Sequence, residues 1–144
     1  MAFLQMFYQR GAVMHLLILC LFLVTAYGQD NWNNPFSLDM IVSPMKKANE
    51  FTATLQVKNN VDRCMAVKVS TEVNSNIKYI SSHAIYTSCL CRVNNYFWDI
   101  HVSVNTAIKG KAEVVPPKGI CPDDEIIFPV TSYIGTVIQK IIVT

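Results

Sequence analysis

Apolar and polar side chains alternate along most of this 144-residue chain. A period of two residues puts successive side chains on opposite faces of a strand, so it predicts β-strands that bury one face. In segment 51–57, Phe51 and Leu55 fall on one side, whereas Thr52 and Thr54 fall on the other. The predicted strands are 36–42, 51–57, 61–73, 77–80, 84–90, 96–104, 111–115, 125–130 and 134–143.

Clusters of Asn, Lys, Pro and Gly separate these segments at short intervals, and no window has an apolar stripe of helical period. The predicted fold is therefore all-β, a single immunoglobulin-like antiparallel β-sandwich. Tyr96, Trp98 and Val104 are predicted to point into its core. Residues 46–49 and 92–95 are predicted turns.

Residues 1–28 are organised as a secretory signal peptide, in which an apolar run is followed by small residues at the cleavage positions, Ala26 and Gly28. The run is shorter than the roughly 20 residues of a transmembrane helix, and no cationic cluster follows it. We therefore predict a secreted, extracellular protein with one mature domain, residues 29–144. Gln29 would be its first residue and can cyclise to pyrrolidone carboxylic acid.

The charge balance of the mature chain is nearly neutral. Without Arg10, eleven of the twelve Lys and Arg remain against ten Asp and Glu, a net charge of about +1. The basic residues are scattered along the sequence and not grouped as a nucleic-acid-binding domain requires. We therefore predict no nucleic-acid partner.

Loss of Cys20 with the signal peptide leaves four cysteines, Cys64, Cys89, Cys91 and Cys121. An even set in a short exported chain predicts a framework of two disulfides. Cys89 and Cys91 lie two apart on a predicted strand and leave the same face, so a bond between them would be strained and each takes a separate partner. Cys64 and Cys121 are those partners, in either order. The spacing matches no common zinc site, so no metal or cofactor is predicted.

Several motifs, in this order and spacing, resemble the prolactin-inducible protein family. This family is also known as gross cystic disease fluid protein, and it includes the seminal vesicle antigen proteins. The motifs are Cys64-Met65, Val67-Lys68, Tyr86-Thr87-Ser88-Cys89-Leu90-Cys91, Tyr96-Phe97-Trp98-Asp99 and Gly119-Ile120-Cys121-Pro122-Asp123-Asp124.

The resemblance implies an immunoglobulin-like sandwich with the pairings Cys64 to Cys91 and Cys89 to Cys121. It also implies secretion into fluids such as saliva and seminal plasma, with an immune-modulatory role. The implied partners are immunoglobulin G, zinc-alpha-glycoprotein, actin and fibronectin, and for the seminal vesicle antigen branch choline phospholipids on the sperm surface. One departure is that Asn105 is followed by Thr one residue too early for the sequon found in relatives, so no N-linked glycan is expected.

Two arrangements of carboxylates are candidates for a catalytic site. Asp123 and Asp124 are adjacent, but an aspartic-type endopeptidase usually sets each Asp in Asp-Thr/Ser-Gly, a motif that this chain lacks. Asp99 and His101 are predicted to share the outward face of a strand, yet no Gly-x-Ser-x-Gly motif accompanies them. We therefore predict a protein that is not an enzyme, with no catalytic residue.

The leading hypothesis from the sequence is a secreted protein that binds another extracellular protein through an exposed sheet edge or one outer sheet face. The alternative is a choline-phospholipid binder, for which Lys109-Gly110-Lys111 is the one basic candidate; the other explanation for these lysines is the solubility of a loop. An aspartic-type protease acting on fibronectin is a further alternative.

Overall fold

The structure of the chain, a computed structural model, describes residues 33–122 and 132–144, together with Leu17. Within these residues the chain forms eight β-strands, and every strand pairing is antiparallel. The strands are β1 (Phe36–Pro44), β2 (Glu50–Asn59), β3 (Met65–Thr71), β4 (Ile77–Tyr79), β5 (Tyr86–Leu90), β6 (Val93–Val102), β7 (Thr106–Val115) and β8 (Ile134–Ile141).

The strands form two four-stranded sheets. Sheet 1 has the order β1-β2-β6-β4, and sheet 2 has the order β5-β3-β7-β8. Contacts divide the chain into residues 1–30 and 31–144, and all eight strands lie in the second unit. The predicted all-β, immunoglobulin-like antiparallel β-sandwich with two disulfides is confirmed.

Sheet 1 follows the alternation read from the sequence. Leu55 and Val57 of β2 are fully buried, and the intervening Gln56 is exposed. The predicted turn at 46–49 joins β1 to β2, and Asn49 adopts a φ of 66° there, a left-handed conformation that asparagine tolerates better than most residues. The hairpin therefore fixes the register that places large side chains of both strands in the core.

In sheet 2, β7 is longer than the strand predicted for that segment. Only 111–115 was predicted, whereas β7 runs from Thr106 to Val115. Gly110 faces the core, where an added Cβ would lie 2.7 Å from Met40 Cε and 3.2 Å from Leu55 Cδ2. Because a glycine replaces an apolar side chain at this inward position, the alternation is interrupted although the strand continues.

The core lies between the two sheets. Trp98 is 2% exposed and Tyr96 is also buried, so their predicted inward orientation is confirmed. Val104 is 50% exposed, and its predicted inward position is wrong because β6 ends at Val102. The largest fully buried side chains are Trp98, Leu55, Met65, Leu90, Ile100, Ile108, Val57, Val67, Val69, Val102, Val114 and Pro35.

The predicted turn at 92–95 is also wrong. Residues 93–95 belong to β6 and pair with β2, so the chain reverses at Cys91 and Arg92. The Arg92 carbonyl oxygen accepts a hydrogen bond of 2.7 Å from the Asn59 backbone N–H, which stabilises this short connection. Strand β3 begins only at Met65, four residues after the predicted start.

Several predictions fall outside the described residues. They concern the signal peptide at 1–28 apart from Leu17, the modified terminus Gln29, the Asp123-Asp124 pair and the strand at 125–130.

Candidate protein-binding surfaces

On the outer face of sheet 1, two exposed apolar side chains lie in one row across three strands, with a threonine between them. Ile41 of β1 lies opposite Thr54 of β2, and Thr54 lies opposite Phe97 of β6. Ile41 is 55% exposed and Phe97 is 54% exposed. Large apolar side chains exposed in one row on a flat sheet are typical of a protein-binding surface. We call Ile41, Thr54 and Phe97 the sheet 1 row.

Polar side chains border this row on both sides. One neighbouring register contains Gln56 opposite Asn95, and the other contains Thr52 opposite Asp99. The Thr52 hydroxyl donates a hydrogen bond of 2.9 Å to Asp99 Oδ1, which orients the carboxylate along the sheet. The surface therefore has an uncharged centre and a polar rim, the arrangement found in many protein interfaces.

The backbone beneath Phe97 is held in place by β5 of the opposite sheet and by the segment that precedes β5. β4 pairs with β6 only at Ile100 to Val102, so it does not reach Phe97. The Tyr86 hydroxyl donates a hydrogen bond of 2.9 Å to the Phe97 carbonyl oxygen. Trp98 Nε1 donates to the Ala84 carbonyl oxygen at 2.8 Å. These two bonds fix β6 where Phe97 projects into solvent.

A second exposed apolar surface follows β8 at the edge of sheet 2. Ile134, Ile138 and Ile142 are 48%, 63% and 70% exposed. Within the described chain, β8 pairs only with β7, so its other side is an open sheet edge. We call these three residues the β8 stripe.

The basic candidate for lipid binding has a different environment from the predicted one. Lys109 and Lys111 lie within β7 and not in a loop, because β7 spans that segment. Lys109 Nζ lies 3.1 Å from Glu72 Oε1. Both lysines are on sheet 2, whereas the exposed aromatic ring of Phe97 is on sheet 1. The basic and aromatic groups of a choline-lipid site are therefore not brought together by these residues.

The four cysteines form two neighbouring disulfides beside β5. Cys64 is bonded to Cys91 and Cys89 is bonded to Cys121, which is the pairing implied by the family resemblance. Cys89 Sγ and Cys91 Sγ lie 3.9 Å apart. Cys64, Cys89 and Cys91 are the one set of metal-ligating side chains grouped together in the described residues, and their sulfurs are bonded in the disulfides.

Asp99 and His101 do lie on the outer face of sheet 1, two residues apart on β6 as predicted. Asp99 is opposite Thr52, and His101 is opposite Glu50 and Lys78. The Asp99 carboxylate accepts the hydrogen bond of the Thr52 hydroxyl, so these two side chains form part of the polar rim.

A polar cluster that no local sequence pattern indicates joins the two sheets at the ends of β3 and β4. The Thr71 hydroxyl contacts the Tyr79 hydroxyl, and His83 Nε2 lies 2.9 Å from Thr71 Oγ1 and donates to the Thr71 carbonyl oxygen at 2.8 Å. The His83 ring stacks on Tyr79 with centroids 4.1 Å apart. Burial raises the pKa of the Tyr79 phenol above its ordinary value of 10.0, while the Thr71 hydrogen bond lowers it. Burial has the larger effect.

Comparison with known proteins shows the family to which this chain is related. The family model described as seminal vesicle autoantigen (SVA) matches residues 3–124. The chain belongs to this family. It is 33% identical over 141 residues to the prolactin-inducible protein homolog of Hylobates agilis, covering 92% of each chain. It is 31% identical over 134 residues to prolactin-inducible protein of Homo sapiens, covering 90% of each.

A solved structure of this family has the same fold. The chain is similar, with a TM-score of 0.61 and 25% identity, to a chain in the crystal structure of the complex formed between zinc 2-glycoprotein and prolactin inducible protein from human seminal plasma. The match covers 81% of this chain and 100% of that one. Among the described residues, no helix has the length and apolar character to span a bilayer. The family resemblance read from the sequence is confirmed.

Proposed function

We propose that the mature chain, residues 29–144, is a secreted protein of exocrine or seminal fluid that binds another extracellular protein and is not an enzyme. The contact is the sheet 1 row with its polar rim. The observation that carries this proposal is the exposure of Phe97 and Ile41 in one register, across a strand whose position is fixed from beneath. The known complex of a relative with zinc 2-glycoprotein supports a protein partner.

The physical basis is the composition of this surface. An aromatic side chain at the centre of an interface contributes strongly because it buries a large area at a small loss of rotamer freedom. Phe97 is flanked by Thr54 on its own row, and short side chains leave its ring accessible. The surrounding amides and hydroxyls can exchange hydrogen bonds with water for bonds to a partner.

The preferred partner is a zinc-alpha-glycoprotein, by analogy with the solved complex. Immunoglobulin G, actin and fibronectin are the further partners proposed from family membership, with an immune-modulatory role. The test immobilises each of these four proteins and measures binding of the disulfide-bonded mature chain by surface plasmon resonance.

Phe97→Ser tests the surface itself. Phe97 is largely exposed, so the substitution leaves the core intact, and we expect affinity for the bound partner to fall about 10- to 100-fold, as for a central aromatic contact. Val73→Ser is the matched control because it removes an exposed apolar side chain from the loop after β3, outside both the sheet 1 row and the β8 stripe. Equal loss in both variants, or retention of none of the four proteins by the unsubstituted chain, would contradict the proposal.

Liposome flotation separates this function from the choline-lipid alternative. Vesicles of phosphatidylcholine or sphingomyelin are mixed with the mature chain, and we expect the protein to stay in the dense fraction. Co-flotation that persists in Phe97→Ser and is lost in Lys111→Ala would favour a lipid site on sheet 2.

A further inference from the structure

The edges of the two sheets differ in how they are protected from pairing with another chain. β1 carries Asp39 near its middle and ends at Pro44, and β4 has only three residues. β5 has five residues and carries Cys89, which is bonded to Cys121. Short strands, charges and proline discourage edge pairing. β8 is eight residues long, contains no proline and has one charge, Lys140.

The main chain of β8 has its free hydrogen-bonding groups on the open side. Val114 donates to the Tyr133 carbonyl oxygen at 2.9 Å, next to the β7–β8 ladder. Because hydrogen-bonded and non-hydrogen-bonded pairs alternate in an antiparallel ladder, the odd-numbered residues from 135 to 141 direct their N–H and C=O groups to β7. The even-numbered residues from 134 to 140 therefore direct theirs to the open edge.

The same even-numbered residues all have exposed side chains, and Gln139 is the one odd-numbered residue of β8 that is also exposed. They include Ile134 and Ile138 of the β8 stripe, and the stripe continues at Ile142. The open edge thus combines apolar side chains on one face with main-chain groups that no strand of the described chain pairs with. Of these groups, the Lys140 carbonyl oxygen accepts a hydrogen bond of 3.3 Å from Gln139 Nε2, which the pairing would replace.

We propose that β8 pairs antiparallel with β8 of a second copy of this chain, around a two-fold axis at Ile138. In this register Ile138 lies opposite its own equivalent, Ile134 lies opposite Ile142, and Thr136 lies opposite Lys140. The pairing joins two copies of sheet 2 into one continuous eight-stranded sheet, with about ten main-chain hydrogen bonds between the copies.

The chemistry of the strand selects this register. Moving the axis to residue 137 places Ile134 opposite Lys140, and moving it to residue 139 places Ile138 opposite Lys140. An axis at residue 140 sets the two Lys140 side chains opposite each other, which is unfavourable for like charges. An axis at residue 136 also pairs Ile134 with Ile138, but it sets Lys140 opposite Ser132 and leaves only residues 134–138 of β8 paired. The axis at Ile138 matches isoleucine with isoleucine and lysine with threonine along the whole of β8. This self-complementarity is the reason for choosing a second copy over an unrelated strand.

The expected dimer is weak. Pairing of two nine-residue edges buries less than the roughly 1,600 Å² of a standard interface, so we expect a dissociation constant in the micromolar range. Sedimentation velocity of the disulfide-bonded mature chain, from about 5 to 500 µM, should show a concentration-dependent shift from monomer to dimer.

Ile138→Lys tests the axis, because it sets two ammonium groups opposite each other in the dimer while keeping an exposed position in the monomer. We expect this variant to remain monomeric. Ile41→Lys is the matched control, since Ile41 is similarly exposed on sheet 1, and it should dimerise like the unsubstituted chain. A chain that stays monomeric at 500 µM, or dimers that survive Ile138→Lys, would overturn the proposal.

This inference and the proposed function are separable. Partner binding is lost in Phe97→Ser, which leaves β8 unchanged, whereas self-association is lost in Ile138→Lys, which leaves the sheet 1 row unchanged. Binding of an unrelated extended peptide to β8 without self-association would also count against the proposed dimer.

Discussion

Removal of either disulfide should destabilise the fold by a similar amount. The bond between Cys64 and Cys91 closes a separation of 27 residues, and that between Cys89 and Cys121 closes 32. Loop-closure entropy in the unfolded chain gives about 3.6 kcal/mol for each bond at 25 °C. We therefore expect Cys64→Ala with Cys91→Ala, and Cys89→Ala with Cys121→Ala, each to lower the free energy of unfolding by about 3 to 4 kcal/mol.

The two losses should be nearly additive. The closed loops share only residues 89–91, so each bond constrains a different part of the unfolded chain. Loss of both should remove about 7 kcal/mol, compared with a typical domain stability of 5–15 kcal/mol. Cys121 is only 3% exposed whereas Cys91 is exposed, so loss of the second bond also removes buried sulfur and should cost slightly more.

Urea denaturation followed by far-ultraviolet circular dichroism measures these changes in the mature chain at pH 7. The slope of the free energy with urea must also be compared, because a cross-link restricts how far the unfolded chain expands. A loss below about 1 kcal/mol in either double variant would refute the loop-closure reasoning. A four-alanine variant no less stable than the double variants would refute additivity.

Two further substitutions test the interior of the sandwich. Trp98→Phe removes the hydrogen bond of 2.8 Å to the Ala84 carbonyl and leaves a cavity beside Tyr86. Urea denaturation should therefore show that the free energy of unfolding falls by about 2–4 kcal/mol. The control is Phe97→Leu at the exposed neighbouring residue, which should change the free energy of unfolding by less than about 0.5 kcal/mol. Burial raises the pKa of the Tyr79 phenol in the folded chain, so the unfolded chain ionises first and the free energy of unfolding should decline as pH rises above 10.0. Urea denaturation of Tyr79→Phe should show a smaller decline across that pH range. An equal decline in the variant and the unsubstituted chain would contradict this assignment.

The strands with large inward side chains were predictable from local sequence. In β2, Leu55 and Val57 alternate with polar residues, and in β6 Trp98 and Ile100 do so, because each strand buries one complete face. The predicted strand is shorter than β7 because Gly110 faces the core without a side chain, and Met40 and Leu55 of the opposite sheet fill the space there. Side chains of one sheet filling the space beside a glycine of the other is a tertiary feature, and no local sequence pattern indicates it.

The candidate surfaces depended on information between strands. Outward positions for Phe97 and Ile41 follow from alternation, but their common row depends on the registers of β1 and β6 against β2. The contact between Thr52 and Asp99 likewise joins residues 47 positions apart. Long-range pairing, and not residue type, therefore determined which exposed side chains form one surface.

The two surfaces have a combined consequence because they belong to different sheets. Pairing at β8 extends sheet 2 in its own plane, whereas the sheet 1 row faces away from sheet 2, so a dimer would keep both copies of the row open. Such a dimer is bivalent, and on a densely coated surface the second contact forms at high effective concentration. Ile138→Lys should then speed dissociation from a dense partner layer but leave the affinity for a sparse layer unchanged. Phe97→Ser should weaken both, because it removes the contact that each copy makes.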